Sequence, residues 1–272
     1  MKDERHRSDI AALEQLRATY EELDAWGLAC RDGTWQPAAE SELAIDDLGW
    51  PPSPLSQLAR GSLVSAWDHL SAVRTQVESR GMFPFATPTL LRTALVASAQ
   101  AVWLLGDDSG GVRQQRGRTL AAETYRRHFE YLRDLLMIGG EDDPNTVKVA
   151  DALAERIGEL ATLREELGER SKWNATAMIE GAVRSTFAAE ETPDALVIEA
   201  RSLFRRGSGA AHGLHWSILG SADTTITPGG TDGLAAITAG CSPAGIQNAF
   251  RLAYLLSKRG WTLLDRRSAV SQ

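Results

Sequence analysis

The chain is poor in cysteine: two in 272 residues, Cys30 and Cys241, far apart and in no Cys-x-x-Cys spacing. That scarcity leaves no paired redox or metal-binding thiols. The first residues (Met1-Lys2-Asp3-Glu4-Arg5-His6-Arg7) carry charge where a secretory leader would carry an apolar run, so a reduced, cytoplasmic setting is expected. Long apolar runs are missing too. The longest, Leu90 to Leu105, is interrupted by Arg92, Ser98 and Gln100. It is too short and too polar to span a bilayer, so a buried helix and no membrane partner are expected. Positive charge is in deficit: a net charge of −7 keeps the chain soluble and supplies no general attraction to nucleic acid or anionic lipid.

Several catalytic signatures are also absent. No Gly-x-Gly-x-x-Gly follows a strand pattern, and there is no Gly-x-x-x-x-Gly-Lys loop, His-Glu-x-x-His motif, nucleophile elbow or paired Glu-x-x-His. Nucleotide-dependent oxidoreductases, P-loop ATPases and zincins are poor fits, and no cofactor is expected. No repeat, low-complexity tract or linker interrupts the chain. The reading is one helical domain over 8–266, with a disordered tail at 1–7 and a trailing tail at 267–272.

What is present is helical periodicity. Ser8 is placed to cap a first helix with Ile10, Leu13, Leu16, Tyr20, Leu23 and Trp26 on one face. Residues 31–55, with Trp35, Trp50, Pro37, Pro51, Pro52 and Pro54, lack a period and read as a long ordered loop clamped by its tryptophans. Further helices are predicted over 58–80, from Thr87-Pro88 to 105, and over 112–138, 145–168 and 174–187. Another starts at Thr192-Pro193 and reaches Arg206 or beyond, and the last runs from Ser242-Pro243 to about 265. Between them, Thr224–Thr227 and Ala235–Thr238 lean toward β-structure around Pro228-Gly229, as a hairpin or an ordered loop. The fold class that follows is all-α: a multi-helix bundle with a long N-terminal loop and a small irregular or β-hairpin segment before the last helix.

The chemistry concentrates between Arg205 and His215. If the helix continues through Gly207-Ser208-Gly209-Ala210-Ala211, then Arg205, Ser208 and His212 share one face. A permanent cation, a hydroxyl and a group titrating near neutrality suit a phosphate or carboxylate ligand. Arg206 is the second choice for the cation. His212 and His215 sit i, i+3, but a zinc site needs further ligands that the sequence does not place, so no metal is expected. The competing reading is structural, with Gly207 and Gly209 admitting a close neighbour. Elsewhere, His69 beside Asp68 reads first as a histidine satisfied by a nearby carboxylate or carbonyl, and His128, beside Arg126 and Arg127, reads as part of a solvated face. Asp68, His69, Arg92 and His215 remain binding candidates.

The segment Phe204-Arg205-Arg206-Gly207-Ser208-Gly209-Ala210-Ala211-His212-Gly213 resembles a Tyr-Arg-x-x-Ser-x-x-x-His-Gly segment of uncharacterised actinobacterial helical proteins. It is also similar to the Arg-x(4–6)-His signature of the HEPN superfamily of helical bundles. Trp67-Asp68-His69-Leu70 and the stretch Leu91-Arg92-Thr93-Ala94-Leu95 to Trp103-Leu104-Leu105 resemble further segments of the same proteins. The resemblance implies a homodimeric, metal-independent ribonuclease or a nucleotide- or RNA-phosphate-binding protein. His212 would be its acid or base, and Arg205 or Arg206 would stabilise charge on the phosphate. The residues themselves leave two alternatives open. One is a small-molecule enzyme or binding protein with an inter-helix pocket lined by Arg92, Asp68, His69 and His212 and covered by 214–241. The other is a non-catalytic dimerisation module.

Overall fold

Proline placement and apolar periodicity set most of the helices, and the computed structural model describes them over residues 2–138, 143–219, 221, 223–229 and 235–270. The helices are α1 (Lys2–Arg17), α2 (Tyr20–Arg31), α3 (Glu42–Asp47), α4 (Leu55–Glu78), α5 (Ala86–Leu105), α6 (Gly110–Met137), α7 (Pro144–Glu166), α8 (Ala175–Thr186), α9 (Pro193–Ala211) and α10 (Pro243–Ser268). A 3-10 turn at His215–Ser217 and a two-stranded sheet lie between α9 and α10. Strands β1 (Thr224–Pro228) and β2 (Ala235–Ala239) pair antiparallel, with Ile226 opposite Ile237, so the β-leaning runs form a hairpin. The protein is mainly α-helical.

The chain divides into two compact units. The first comprises Met1–Trp35, Arg60–Trp103 and Thr176–Leu263. Its core is built from Leu23 of α2, Leu63, Leu70 and Val73 of α4, Ala94 and Ala99 of α5, Val183 of α8, Ala200 of α9, and Phe250 and Leu256 of α10, all buried. Their spacings of three and four residues give each helix one apolar stripe facing that core. Helix α5 is apolar on most sides. It is the one described helix long and apolar enough to cross a membrane, and 56% of that stretch is buried within the protein.

The second unit comprises Gln36–Ala59, Leu104–Ala175 and Leu264–Gln272. Here α6 packs on α7 through Leu132, Ala150 and Leu153, with Tyr125, Phe129, Leu136 and Ile157 around them. Buried ion pairs accompany this apolar core. Buried Arg113 pairs with Asp46 at 2.5 Å and with Glu42 at 3.0 Å. Arg118 pairs with Glu169, and its Nη1 donates to the Gly49 carbonyl at 3.2 Å.

Three sequence expectations are corrected here. Residues 31–55 are not one long loop. Ser41 Oγ accepts from the Ala44 amide at 3.2 Å and caps α3, whose Leu43 is fully buried, and α4 begins directly after Pro54. The expected anchoring by tryptophan is present: Trp50 Nε1 donates to the Tyr125 hydroxyl at 3.1 Å, and the Arg60 guanidinium lies 5.4 Å from the Trp35 ring centre. The N-terminus is helical from Lys2, so Ser8 lies inside α1 and caps nothing. Burial of Ala12 and Leu16 one turn apart holds this helix, and its charged first turns simply extend it. The helix then breaks before Tyr20, where the Thr19 hydroxyl donates to the Leu16 carbonyl at 2.7 Å. Finally, the segment expected to trail from residue 267 begins inside α10, and its last two residues, 271–272, lie outside the described residues. Arg267 is 2% exposed. It donates from Nε to the Leu105 carbonyl at 2.7 Å and pairs with Glu42 and Asp108.

Candidate functional site

The first unit contains a small cavity of about 40 Å³. Its walls come from four places: Pro84, Pro88, Leu91, Arg92 and Leu95 at the start of α5; Leu203, Arg206 and Gly207 on α9; Ile218, Ser221, Asp223, Gly240 and Cys241 beside the hairpin; and Gly245, Ile246 and Ala249 on α10. The lining is mainly aliphatic, and the polar groups are few and identifiable.

Arg92 is fixed from two sides. Its Nε donates to Ser208 Oγ at 2.9 Å, and its guanidinium carbon lies 5.2 Å from the Phe204 ring centre. The Ser208 hydroxyl in turn donates to the Phe204 carbonyl at 2.8 Å, one turn back on α9. This crossing explains Gly207. A Cβ there would stand 2.4 Å from Arg92 Cβ and 2.8 Å from the Pro88 carbonyl oxygen, so only glycine lets α9 pass α5 so closely. Arg206, one residue earlier on α9, donates from Nε to the Ser217 carbonyl at 3.1 Å and holds the 3-10 turn.

Asp223 is committed to structure. Its Oδ2 accepts from the Ser242 amide at 2.9 Å and the Ser242 hydroxyl at 2.8 Å, and its carbonyl accepts from the Gly240 amide at 2.9 Å. The base of the hairpin is thereby tied to the start of α10. Cys241 completes the polar lining. Burial pushes its thiol up, and neighbouring Asp223 adds to the rise, while a hydrogen bond from Thr87 and the charge of Arg206 oppose it. A thiol so held stays protonated near neutrality and is a weak nucleophile.

The structure therefore gathers Arg92, Arg206 and Ser208 around Gly207 and separates them from the other sequence candidates. Arg205 is exposed and lies in an open groove of about 390 Å³ with Arg201, Trp216 and Arg206, which borders both the groove and the cavity. His212 is the C-terminal cap residue of α9, and both it and His215 are exposed and outside the cavity lining. Ser208 does not join Arg205 and His212 in presenting one working face, because its hydroxyl is engaged by Arg92. Asp68 is exposed. His69 Nδ1 sits 2.8 Å from the Ser65 carbonyl of its own helix, the satisfied histidine foreseen from sequence, and neither residue lines the cavity. His128 is exposed. No group of three metal-capable side chains occurs among the described residues.

The arginine-rich helix, now α6, also changes meaning. Arg113 and Arg118 are buried in ion pairs, Arg116 pairs with Asp107 at 3.2 Å, and Arg126 and Arg127 pair with Glu123. Much of its charge is spent within the protein. Sequence reasoning missed Cys241 and Asp223 as wall residues. The one usable signal was their place at the edges of the β-leaning segment, because the Asp223–Ser242 contact spans 19 residues and has no local pattern.

No family model matches the chain, and no curated protein or solved structure matches it.

Proposed function

We propose that the first unit is a small-molecule binding module whose cavity takes an amphipathic anion, an apolar body bearing a carboxylate or phosphate. One observation carries this reading. Two arginines, Arg92 and Arg206, line an otherwise largely aliphatic cavity. An apolar lining supplies affinity and a few polar groups supply orientation, as in ligand pockets; with about 40 Å³ free, the cavity admits the ligand by displacing a wall. Arginine stays charged at every relevant pH, and its planar fork matches a carboxylate or phosphate. Asp223 reduces that preference without cancelling it, since its one negative charge stands against two guanidinium groups. The hairpin-side residues Ile218, Ser221, Gly240 and Cys241 form one wall, so the segment over 214–241 serves as the cover.

The test is calorimetric titration with decanoate and decanol, which share an apolar chain and differ in charge. Decanoate binds the wild type about tenfold or more tightly than decanol, the margin of a charge-assisted hydrogen bond. Replacing Arg92 and Arg206 together by Met removes the margin. Equal affinity of the two probes for the wild type would sink the reading.

A second reading follows the HEPN resemblance. Arg205 and His212 are both exposed, seven residues apart at the end of α9, as a ribonuclease assembled from two chains would use them. It is tested by incubating the protein with single-stranded RNA and a chelator. On this reading cleavage occurs and His212→Ala abolishes it; intact RNA with both proteins refutes it.

A further inference from the structure

We propose that the open groove beside α9 is a second binding site, for a planar aromatic phosphate the size of a mononucleotide. The proposal goes beyond the cavity reading: Arg206 borders both places, but Trp216 and Arg205, on which the proposal rests, lie outside the cavity lining.

Trp216 carries the argument. It sits on the 3-10 turn that follows α9 and is 50% exposed, an unusual state for the largest apolar side chain. Its ring lies against the α9 backbone at Gly209, where a Cβ would stand 2.6 Å from ring carbon Cζ2 and 3.0 Å from Cε2. The second glycine of the Gly-Ser-Gly run thus has its own task, to let the indole approach the helix backbone closely. Half of the side chain stays open to a ligand. A rigid aromatic plate held this way stacks a planar ring at little entropic cost.

Cations border the ring. Arg201, Arg205 and Arg206 line the same groove, of about 390 Å³. Arg205 is exposed and has no side-chain partner among the described residues. Arg201 is 3.3 Å from Glu180 in a half-exposed ion pair, which is worth little and is readily exchanged for a phosphate. Guanidinium groups beside an aromatic platform match a base and its phosphate together, which neither feature would select alone.

The size follows from the charge of the chain. A net charge of −7 offers no general attraction along which a polynucleotide would be drawn. One nucleotide fits the chemistry better than a strand.

The experiment is calorimetric titration of the full chain with AMP, adenosine, ribose 5-phosphate and a single-stranded RNA dodecamer. AMP is expected to bind, with adenosine and ribose 5-phosphate each about tenfold or more weaker, since each lacks one half of the recognition. Arg205→Gln, an exposed change that leaves the packing alone, weakens AMP about tenfold. Trp216→Ala weakens it about as much, and Trp216→Phe retains most of the affinity. Circular dichroism melts accompany the tryptophan variants, and Arg205→Gln keeps the test decisive if Trp216→Ala unfolds. Absence of AMP binding overturns the proposal, as does AMP affinity unchanged in Arg205→Gln. A dodecamer bound more than about tenfold tighter than AMP overturns it in favour of a polynucleotide site.

Discussion

Arg92 and Gly207 are fitted to each other: the side chain of one occupies the space that a side chain on the other would need. A Cβ on Gly207 would lie 2.4 Å from Arg92 Cβ, and Arg92 reaches past it to Ser208 at 2.9 Å. The glycine run that first reads as either catalytic or structural has a structural task that serves the site, because the close crossing positions the cavity's arginine.

Gly207→Ala should therefore destabilise the protein although alanine is the better helix former. The clash is with the Arg92 stem and the Pro88 backbone, not with the tip of a flexible chain, so relief requires α9 to move away from α5. Overpacking of this kind costs roughly 1–3 kcal/mol. Gly61, exposed within α4 and with open space where a Cβ would stand, is the control. Its change to alanine should stabilise by about 0.5–1 kcal/mol through helix propensity. Thermal melts of the two variants should move in opposite directions, and parallel shifts would contradict the packing described.

In the second unit the test is whether the buried charges are mutually dependent. Arg113 and Asp46 are 2.5 Å apart with side chains 3% and 2% exposed. Arg113→Met leaves the Asp46 carboxylate buried without this partner, and removal of one member of such a pair costs roughly 3–5 kcal/mol. Adding Asp46→Leu removes the stranded charge and should recover most of the loss. Denaturant melts of the two singles and the double close the cycle. Additive losses would mean that the residues do not act as a pair.

Much of the fold was legible because local chemistry marks it. Pro193 and Pro243 start α9 and α10 where the Thr-Pro and Ser-Pro pairs predict, and the β-leaning runs pair at the expected residues. The misses share a cause. Helix α3 has six residues, too few to show a period, and only the Ser41 cap announces it. The first turns of α1 are charged and largely exposed, so no burial pattern distinguishes them from a tail. Arg267 reads as a terminal charge because its partners at Glu42, Leu105 and Asp108 lie 159 or more residues away. Arg92, Arg206 and Ser208 are all candidates in the sequence, which groups Arg206 and Ser208 with Arg205 and His212, two residues that lie outside the cavity lining. A shared helical face places Arg205 with His212, whereas the approach of α5 decides which side chains enter the cavity.

Alkaline pH should loosen the first unit. Burial raises the Cys30 thiol to about 11, with Asp68 adding to the rise and Arg60 opposing it. Burial likewise raises the Tyr20 hydroxyl to about 12, with Glu78 adding and Arg74 and Arg17 opposing. Both are acids whose folded values exceed the unfolded ones, which lie near 8.5 for Cys and 10 for Tyr. The folded state thus holds protons that the unfolded state releases, and the stabilisation present below the unfolded values is lost as pH rises toward the folded ones. The melting temperature should be level from about pH 7 to 8 and fall between about pH 9 and 12, with Cys30→Ala removing the earlier part of the fall. A melting temperature that climbs across that interval would contradict the sign.

Cys241 reports on the cavity directly. Its thiol is raised by burial and lines the wall with Arg206 and Asp223, so in a Cys30→Ala background iodoacetamide should label it far more slowly than a free thiol at about pH 7.5. Labelling should accelerate as pH rises, because the thiolate is the reacting form. Decanoate at saturating concentration should slow it further, since a ligand whose head meets Arg92 and Arg206 stands between solvent and the sulfur. Decanol at the same concentration should protect less. Mass spectrometry of the intact protein over time measures all of these rates. Labelling at the rate of a free thiol would mean that the wall is open where the structure closes it, and slow labelling unaffected by decanoate would place the anion outside this cavity.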